Sequence, residues 1–118
     1  MPPTVLIVDD HPSFRASARA VLEADGFEIV GEAADGAAAL VAVAELAPEV
    51  VLLDIQLPDM TGFDVCKRLA RRNGTAPAVI LVSSRDVSDY GDLIDDSHAR
   101  GFVPKAELSG EAILALLA

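Results

Sequence analysis

The sequence predicts an α/β domain in which helices cover both faces of a parallel β-sheet. Strand-like apolar runs alternate five times with helical segments, with no linker or low-complexity stretch between them. Three of the runs, at 4–9, 49–54 and 78–83, are continuously apolar, as in strands that are buried on both faces. Right-handed crossovers between parallel strands then favour a doubly wound arrangement.

Five short apolar runs, each bounded by polar or turn-forming residues, predict the strands. They are TVLIVD (4–9), EIVGEA (28–33), EVVLLD (49–54), AVILVS (78–83) and GFVPK (101–105). In a doubly wound sheet, ligands bind outside the carboxyl ends of such strands.

The helices are predicted from apolar residues at helical spacing and from the residues at their ends. Pro12 suits the first turn of the first helix, and Gly26 ends it. Asp35 caps the second helix, which Pro48 cannot continue. The expected ranges are 12–25, 36–47, 63–72, 88–99 with a weaker pattern, and a last helix after the capping residue Ser109.

Length, composition and charge narrow the function classes. The 118 residues match one ordinary domain, and the 52% hydrophobic content can supply its core. We therefore expect residues 1–118 to form a single domain. The formal net charge of −10 disfavours direct binding to nucleic acid, because phosphates would be repelled.

The same composition bears on the cellular compartment. The chain enters a strand pattern at Thr4 without a basic leader region, and its apolar runs are far shorter than the roughly 20 residues that cross a bilayer. Its one cysteine, Cys66, cannot form an internal disulfide, which suits a reducing compartment. We expect a cytoplasmic protein without a membrane segment.

Polar residues follow the apolar runs at the ends of four predicted strands. Asp9 and Asp10 end the first, Asp54 the third, Ser83 the fourth and Lys105 the fifth. Because parallel strands end at one edge of the sheet, we expect these side chains to meet in one crevice.

This set of side chains has a specific chemistry. Three neighbouring carboxylates repel one another, and a hard divalent cation such as Mg²⁺ removes the repulsion. A carboxylate can also accept a phosphoryl group, and an ammonium and a hydroxyl would stabilise the transferring charge. Asp9 and Asp10 suit the metal, Lys105 the ammonium and Ser83 the hydroxyl.

Each residue taken alone also has a plainer interpretation. Asp10 could be a helix cap, Ser83 a strand-end hydroxyl and Lys105 a surface lysine. His11 is interpreted as a turn residue before a proline, and Tyr90 as a packing residue. The functional interpretation depends on the convergence of the set at one edge.

Four motifs are specific: VDDH (8–11), LLDIQLPDMTGFD (52–64), VILVSS (79–84) and GFVPK (101–105). With them the chain resembles, over essentially its whole length, the receiver domain of bacterial two-component response regulators. The segments DDHPSFR and GFVPKAELS are most similar to those of receivers in LuxR/NarL-type regulators. The resemblance implies a flavodoxin-like (βα)5 fold with strand order 2-1-3-4-5, and a signalling domain rather than an enzyme.

The resemblance also implies a role for each residue of the crevice. Asp54 would be the phosphoacceptor. Asp9, Asp10, Asp54 and the main-chain carbonyl of Gln56 would bind Mg²⁺ (or Mn²⁺). Lys105 would pair with the phosphoryl group.

Two further residues would form the switch that the family pattern implies. Ser83 would turn inward to hydrogen-bond the phosphoryl oxygen. Phe102 would occupy the aromatic switch position, coupled to Ser83, but it lacks the hydroxyl of the more familiar tyrosine. The face formed by the fourth helix, the fifth strand and the last helix would respond.

The resemblance implies a sensor histidine kinase as the partner, and a homodimer that depends on phosphorylation. The chain would be either a stand-alone receiver or the first part of a longer regulator with a DNA-binding output domain. A receiver that signals without phosphorylation is disfavoured by the full set of acidic, hydroxyl and lysine residues.

Two alternatives come from other classes. A haloacid-dehalogenase-like phosphatase would need an aspartate at position 56, where Gln56 stands. In a flavin-binding flavodoxin-like domain, the flavin phosphate would lie at the end of the first strand. Here the carboxylates at 9–10 would repel that phosphate.

Overall fold

Five parallel strands form one sheet in the order β2-β1-β3-β4-β5, in a computed structural model that describes residues 2–71 and 76–118. The strands are β1 Thr4–Val8, β2 Glu28–Ala33, β3 Val50–Asp54, β4 Ala78–Ser83 and β5 Gly101–Pro104. The α-helices are α1 Pro12–Ala24, α2 Gly36–Leu46, α3 Gly62–Ala70 and α4 Gly110–Leu117. In the part of the chain that the structure describes, no helix is both long and apolar enough to span a bilayer.

The sheet is buried on both faces, which explains the continuously apolar strands. Along β1, Val5 and Ile7 join the core beneath α1 and α4, whereas Leu6 and Val8 join the core beneath α2 and α3. Successive side chains of a strand point to opposite faces, so a strand between two helical layers needs apolar residues at every position. The predicted fold class is confirmed.

The helix ends follow the capping chemistry that the sequence predicts. The Asp35 carboxylate accepts a hydrogen bond from the Ala38 amide at 2.7 Å, and the Ser109 hydroxyl accepts one from the Ala112 amide at 3.0 Å. Gly26, just beyond α1, has a φ of +94°, which glycine adopts without steric cost.

The third helix begins one residue earlier than predicted. Thr61 and Asp64 form a capping box, in which each side chain accepts a hydrogen bond from the other residue's amide. This pair satisfies two amides that have no partner inside the helix, so α3 starts directly after Thr61. The predicted end of this helix near residue 72 lies outside the described residues.

The predicted α-helix at 88–99 is wrong. The chain instead forms three short 3₁₀ turns, Val87–Asp89, Gly91–Leu93 and Asp95–Ser97, which we call the 87–97 segment. Gly91 and His98 have φ values of +55° and +67°, which a continuous α-helix does not tolerate. The Ser97 hydroxyl donates to a carbonyl within the segment, as serine does when it competes with helical hydrogen bonding.

Three strands are one residue shorter than predicted. β1 stops before Asp9, although the Asp9 amide still donates to the Ala33 carbonyl at 3.0 Å. β3 starts at Val50. β5 stops at Pro104, because Lys105 opens a 3₁₀ turn closed by a hydrogen bond from the Leu108 amide. Asp9 and Lys105 therefore lie in the loops just beyond the sheet edge.

The reactivity of the Cys66 thiol provides a test of how α3 packs against the sheet. It is buried against the sheet, and burial raises the pKa of its thiol to about 12. Since the folded pKa lies above that of an unfolded thiol, this group favours folding below about pH 8.5 and ceases to do so as the pH rises towards the folded pKa. Iodoacetamide at pH 8, followed by intact mass, should modify the native protein at least about tenfold more slowly than the urea-unfolded protein. Equal rates would contradict the buried position.

Candidate functional site

The carboxyl edge of the sheet brings together the charged residues that the sequence predicts there. Asp54 is the last residue of β3 and is 3% exposed, and Asp9, directly after β1, is fully buried. The Lys105 Nζ atom lies 2.5 Å from Asp9 Oδ2 and 3.4 Å from Asp54 Oδ2. Two buried carboxylates therefore share one ammonium group.

Lys105 is held in place from the α1 side. Its Nζ atom lies 4.5 Å from the centroid of the Phe14 ring, within the range of a cation–π interaction. Burial lowers the pKa of Lys105, but its contacts with Asp9 and Asp54 raise it, and the net pKa is above its ordinary value. The lysine is therefore a cation. Helical spacing alone indicates a packing role for Phe14 and gives no sign of this contact.

Asp54 is electrostatically destabilised as an anion. Burial is the main cause that raises its pKa to about 6, and the neighbouring Asp9 carboxylate also raises it. The Gln56 amide, which donates to Asp54 Oδ1 at 3.1 Å, lowers the pKa, as does Lys105. The site thus holds more negative charge than one ammonium balances.

The donor atoms at this edge fit a metal ion. Asp9, Asp10, His11 and Asp54 each offer one ligand atom, and these atoms lie within 4.8 Å of one another. The buried Asp9 Oδ2 atom contacts the Lys105 ammonium, which is the cation that faces these carboxylates in the described ranges 2–71 and 76–118. Carboxylate oxygens are the ligands that a hard divalent cation prefers. Because Asp10 is partly exposed, such a cation could also keep some of its water. The acidic pocket can therefore bind metal.

Two other residues bear on the metal prediction. The carbonyl of Gln56 has no contact that tests its predicted role as a ligand, so that role stays a prediction. His11 is the residue before α1, and its Nδ1 atom lies 3.1 Å from Asp9 Oδ1 and 3.0 Å from Asp10 Oδ1. The turn interpretation of His11 overlooked these contacts, which its position beside the acidic pair could have suggested.

Gly62 allows the close approach of α3 to the backbone of Asp54. Its amide donates to the Ile55 carbonyl at 2.8 Å. A Cβ atom at this position would lie 2.7 Å from the Asp54 carbonyl oxygen and 2.9 Å from Ile55 Cα, both of which are backbone atoms. Glycine is therefore required beneath Asp54.

The loop between β3 and α3 is also attached to α2. The Asp59 carboxylate accepts hydrogen bonds from the Gly36 and Ala37 amides at 2.8 and 2.9 Å, and these bonds hold its pKa below the usual range. The negative charge thus lies at the amino end of α2, where the helix dipole favours it. Met60 lies against Gly36, where a Cβ atom would clash with it. These contacts fix the loop that follows Asp54.

Ser83, at the end of β4, is buried, but its hydroxyl is engaged away from the charged cluster. Its Oγ atom lies 2.6 Å from the hydroxyl oxygen of Tyr90 and accepts a hydrogen bond from the Arg85 amide at 3.0 Å. The Tyr90 ring lies 5.9 Å from that of Phe63 and 6.2 Å from that of Phe102, between centroids. Tyr90 does pack, as predicted, but its contact with Ser83 was not foreseen.

Comparison with known proteins identifies the family. The response regulator receiver domain family matches residues 5–117. The chain is 43% identical over 102 residues to the nitrate/nitrite response regulator protein NarP of Escherichia coli, covering 86% of this chain and 47% of NarP. It is 38% identical over 111 residues to a putative transcriptional regulator of Pseudomonas aeruginosa, covering 94% of this chain and 53% of that protein. The chain spans about half the length of these relatives.

Solved structures agree. The receiver domain of the putative response regulator NarL from Mycobacterium tuberculosis has a TM-score of 0.87 and 33% identity, covering 97% of this chain and 94% of that chain. A LuxR-family response regulator from Aurantimonas sp. has a TM-score of 0.88 and 29% identity, covering 99% and 86%. The fold and its strand order are therefore those of receiver domains.

The chain belongs to the response regulator receiver domain family, and it is a receiver domain of the two-component response regulators. Within that family it is most like the LuxR/NarL type, as NarP and the two structures indicate. It is a signalling domain. The matches support neither the phosphatase nor the flavin-binding alternative.

The buried charge of Asp54 should reduce the stability of the metal-free protein. Because its pKa is raised to about 6, Asp54 favours folding below its ordinary pKa of 3.8, and this contribution is lost as the pH rises through 6. In EDTA at pH 7.5, Asp54→Asn should raise the free energy of unfolding in urea by about 2 kcal/mol. This difference in the free energy of unfolding between Asp54→Asn and the wild type should be smaller at pH 4.5. It should also be smaller in Mg²⁺, which stabilises the wild type. A less stable variant at pH 7.5 would contradict this.

Gly62→Ala tests the close approach beneath Asp54. The added methyl group would meet backbone atoms, which cannot move aside as a flexible side chain can. We expect a loss of about 1–3 kcal/mol in the free energy of unfolding, measured in urea. Gly91→Ala is the control, because its Cβ meets no atom within 4 Å and its cost comes only from the positive φ. Unchanged stability of Gly62→Ala would contradict the packing.

Proposed function

We propose that this receiver is a phosphoacceptor whose Asp54 takes a phosphoryl group from the phosphohistidine of a sensor histidine kinase. The observation that carries the proposal is the buried Asp54 carboxylate at the sheet edge, 3.4 Å from the Lys105 ammonium. An Asp54 oxygen attacks phosphorus in line, the P–N bond breaks, and its electron pair remains on the imidazole of the kinase. The product is an acyl phosphate on Asp54.

Lys105 provides positive charge to the transferred group. Its ammonium already lies against the carboxylates of Asp9 and Asp54, and its raised net pKa keeps it protonated. The cation–π contact with Phe14 fixes its position before the reaction. Preorganised charge of this kind stabilises the transition state without a reorganisation cost.

We also infer that Asp9, Asp10 and Asp54 hold Mg²⁺ (or Mn²⁺), with the main-chain carbonyl of Gln56 as a further ligand. The clustered carboxylate oxygens support this set, since a single ammonium does not balance their charge. With a divalent cation bound there, the pocket would supply positive charge against the oxygens of the phosphoryl group. Asp9 also accepts a bond from the His11 amide at 2.8 Å, which orients its carboxylate.

The reaction releases no product from the receiver; its result is a change in the conformation of the receiver's surface. The phosphoryl group adds about −1.5 to −2 charges and new acceptor oxygens at the sheet edge. Ser83 would hydrogen-bond one of these oxygens, and Phe102 would respond as the aromatic switch residue. Hydrolysis of the acyl phosphate by water would reset the domain, and the exposed side chain of Gln56 borders that path.

The relatives support a proposal about the whole protein to which this domain belongs. We propose that residues 1–118 form one receiver domain of a longer, cytoplasmic regulator with a DNA-binding output domain. The E. coli relative EvgA supports this, since it is a DNA-binding transcriptional activator and the chain covers 54% of it. The net charge of −10 argues against direct DNA binding by the receiver itself. Phosphorylation-dependent homodimerisation is a further proposal.

Intact mass after incubation with acetyl phosphate and Mg²⁺ tests the acceptor assignment. The wild type should gain one phosphoryl group, and Asp54→Asn should gain none. Lys105→Gln should slow the gain by about 10²-fold, because a preorganised charge is lost. Asp92→Asn, which removes an exposed carboxylate of the 87–97 segment, is the matched control and should label normally.

Two outcomes would contradict the assignment. Labelling that persists in Asp54→Asn would show that another residue accepts the group. Labelling of the wild type at an unchanged rate in EDTA would contradict the role given to the acidic pocket, since the carboxylates would then act without a metal.

A further inference from the structure

The hydroxyl of Ser83 has a partner that the proposed reaction does not use. Its Oγ atom lies 2.6 Å from the Tyr90 hydroxyl oxygen and accepts from the Arg85 amide at 3.0 Å. Among the described residues, Ser83 makes no hydrogen bond to Asp54 or Lys105. Ser83 is 1% exposed, so water does not compete freely for its hydroxyl. In this state its hydroxyl contacts Tyr90 and the Arg85 amide instead of the charged cluster.

The hydroxyl of Tyr90 comes from a different part of the fold than that of Ser83. It lies between the first two 3₁₀ turns of the 87–97 segment, and its ring contacts Phe63 of α3 and Phe102 of β5. Phe102 has no hydroxyl and cannot hydrogen-bond Ser83. The Ser83–Tyr90 bond is therefore a polar link between the sheet edge and the 87–97 segment.

We propose that Tyr90 is a positioning residue that holds the Ser83 hydroxyl away from Asp54 until a phosphoryl group is present. The inference rests on the proposed function. When Asp54 carries the phosphoryl group, Ser83 donates to one of its oxygens and the bond to Tyr90 is broken. The free Tyr90 hydroxyl then changes the packing of its ring against Phe63 and Phe102.

The strength of one neutral hydrogen bond sets the size of the effect. Such a bond opposes the inward turn of Ser83 by a factor of about 2 to 10 in the equilibrium. Tyr90→Phe removes one oxygen and keeps the ring between its aromatic neighbours. It should therefore label with acetyl phosphate about 2- to 10-fold faster than the wild type, or to a higher plateau by the same factor.

A double-mutant cycle separates positioning from a structural effect. In the Ser83→Ala background, Tyr90→Phe should leave the labelling rate unchanged, because the bond is already absent. Slower labelling in Tyr90→Phe would overturn the proposal, since it would mean that Tyr90 assists Ser83 by donating to it. Equal rates in the wild type and Tyr90→Phe would overturn it as well.

Tyrosine fluorescence gives a second readout that does not alter Tyr90. The chain contains one tyrosine and no tryptophan, so its tyrosine emission reports on Tyr90 alone. Beryllofluoride with Mg²⁺, a mimic of the phosphoryl group, should shift the wild-type emission towards that of Ser83→Ala. It should leave the emission of Asp54→Asn unchanged. If acetyl phosphate labels the wild type but its tyrosine emission does not change, the role of Tyr90 alone is overturned. If acetyl phosphate does not label the wild type, the acceptor assignment is overturned as well.

Discussion

The buried contact of the Asp9 and Asp54 carboxylates with the Lys105 ammonium is the interaction on which the rest of the site depends. Two anions share one cation in a place with little water, and burial and mutual repulsion raise the pKa of Asp54 to about 6. Such an arrangement is unfavourable in the resting protein and becomes favourable when more positive charge arrives. The parallel sheet makes it possible, because it ends β1, β3 and β5 at one edge.

The surrounding structure holds this charged group in a defined geometry. Phe14 packs over the ammonium, Gly62 lets α3 approach the backbone of Asp54, and Asp59 ties the following loop to α2. None of these residues bears the chemistry proposed for the site. They determine how closely the acceptor, the cation and the neighbouring carboxylates can meet, which is what electrostatic stabilisation of a transferring group requires.

The fold and the charged cluster could be predicted from the sequence because each depends on simple rules. Continuous apolar strands imply a sheet buried on both faces, and parallel strands bring Asp9, Asp54 and Lys105 to the same edge. The 87–97 segment could not be predicted, because its apolar spacing suits a helix while its glycine, serine and aspartate residues favour turns. The contact of Tyr90 with Ser83 depends on that turn geometry and on side-chain direction, which residue spacing does not reveal.

The most direct test of the central claim is a magnesium titration of the protein followed by the amide signals in NMR. If the carboxylates at the sheet edge form one charge-deficient pocket, the signals of Asp9, Asp10, Asp54 and Gln56 should shift together along a single binding curve, and Asp10→Asn should weaken that curve strongly. Shifts scattered over the other acidic residues of the surface, with the sheet-edge signals unmoved, would contradict the account.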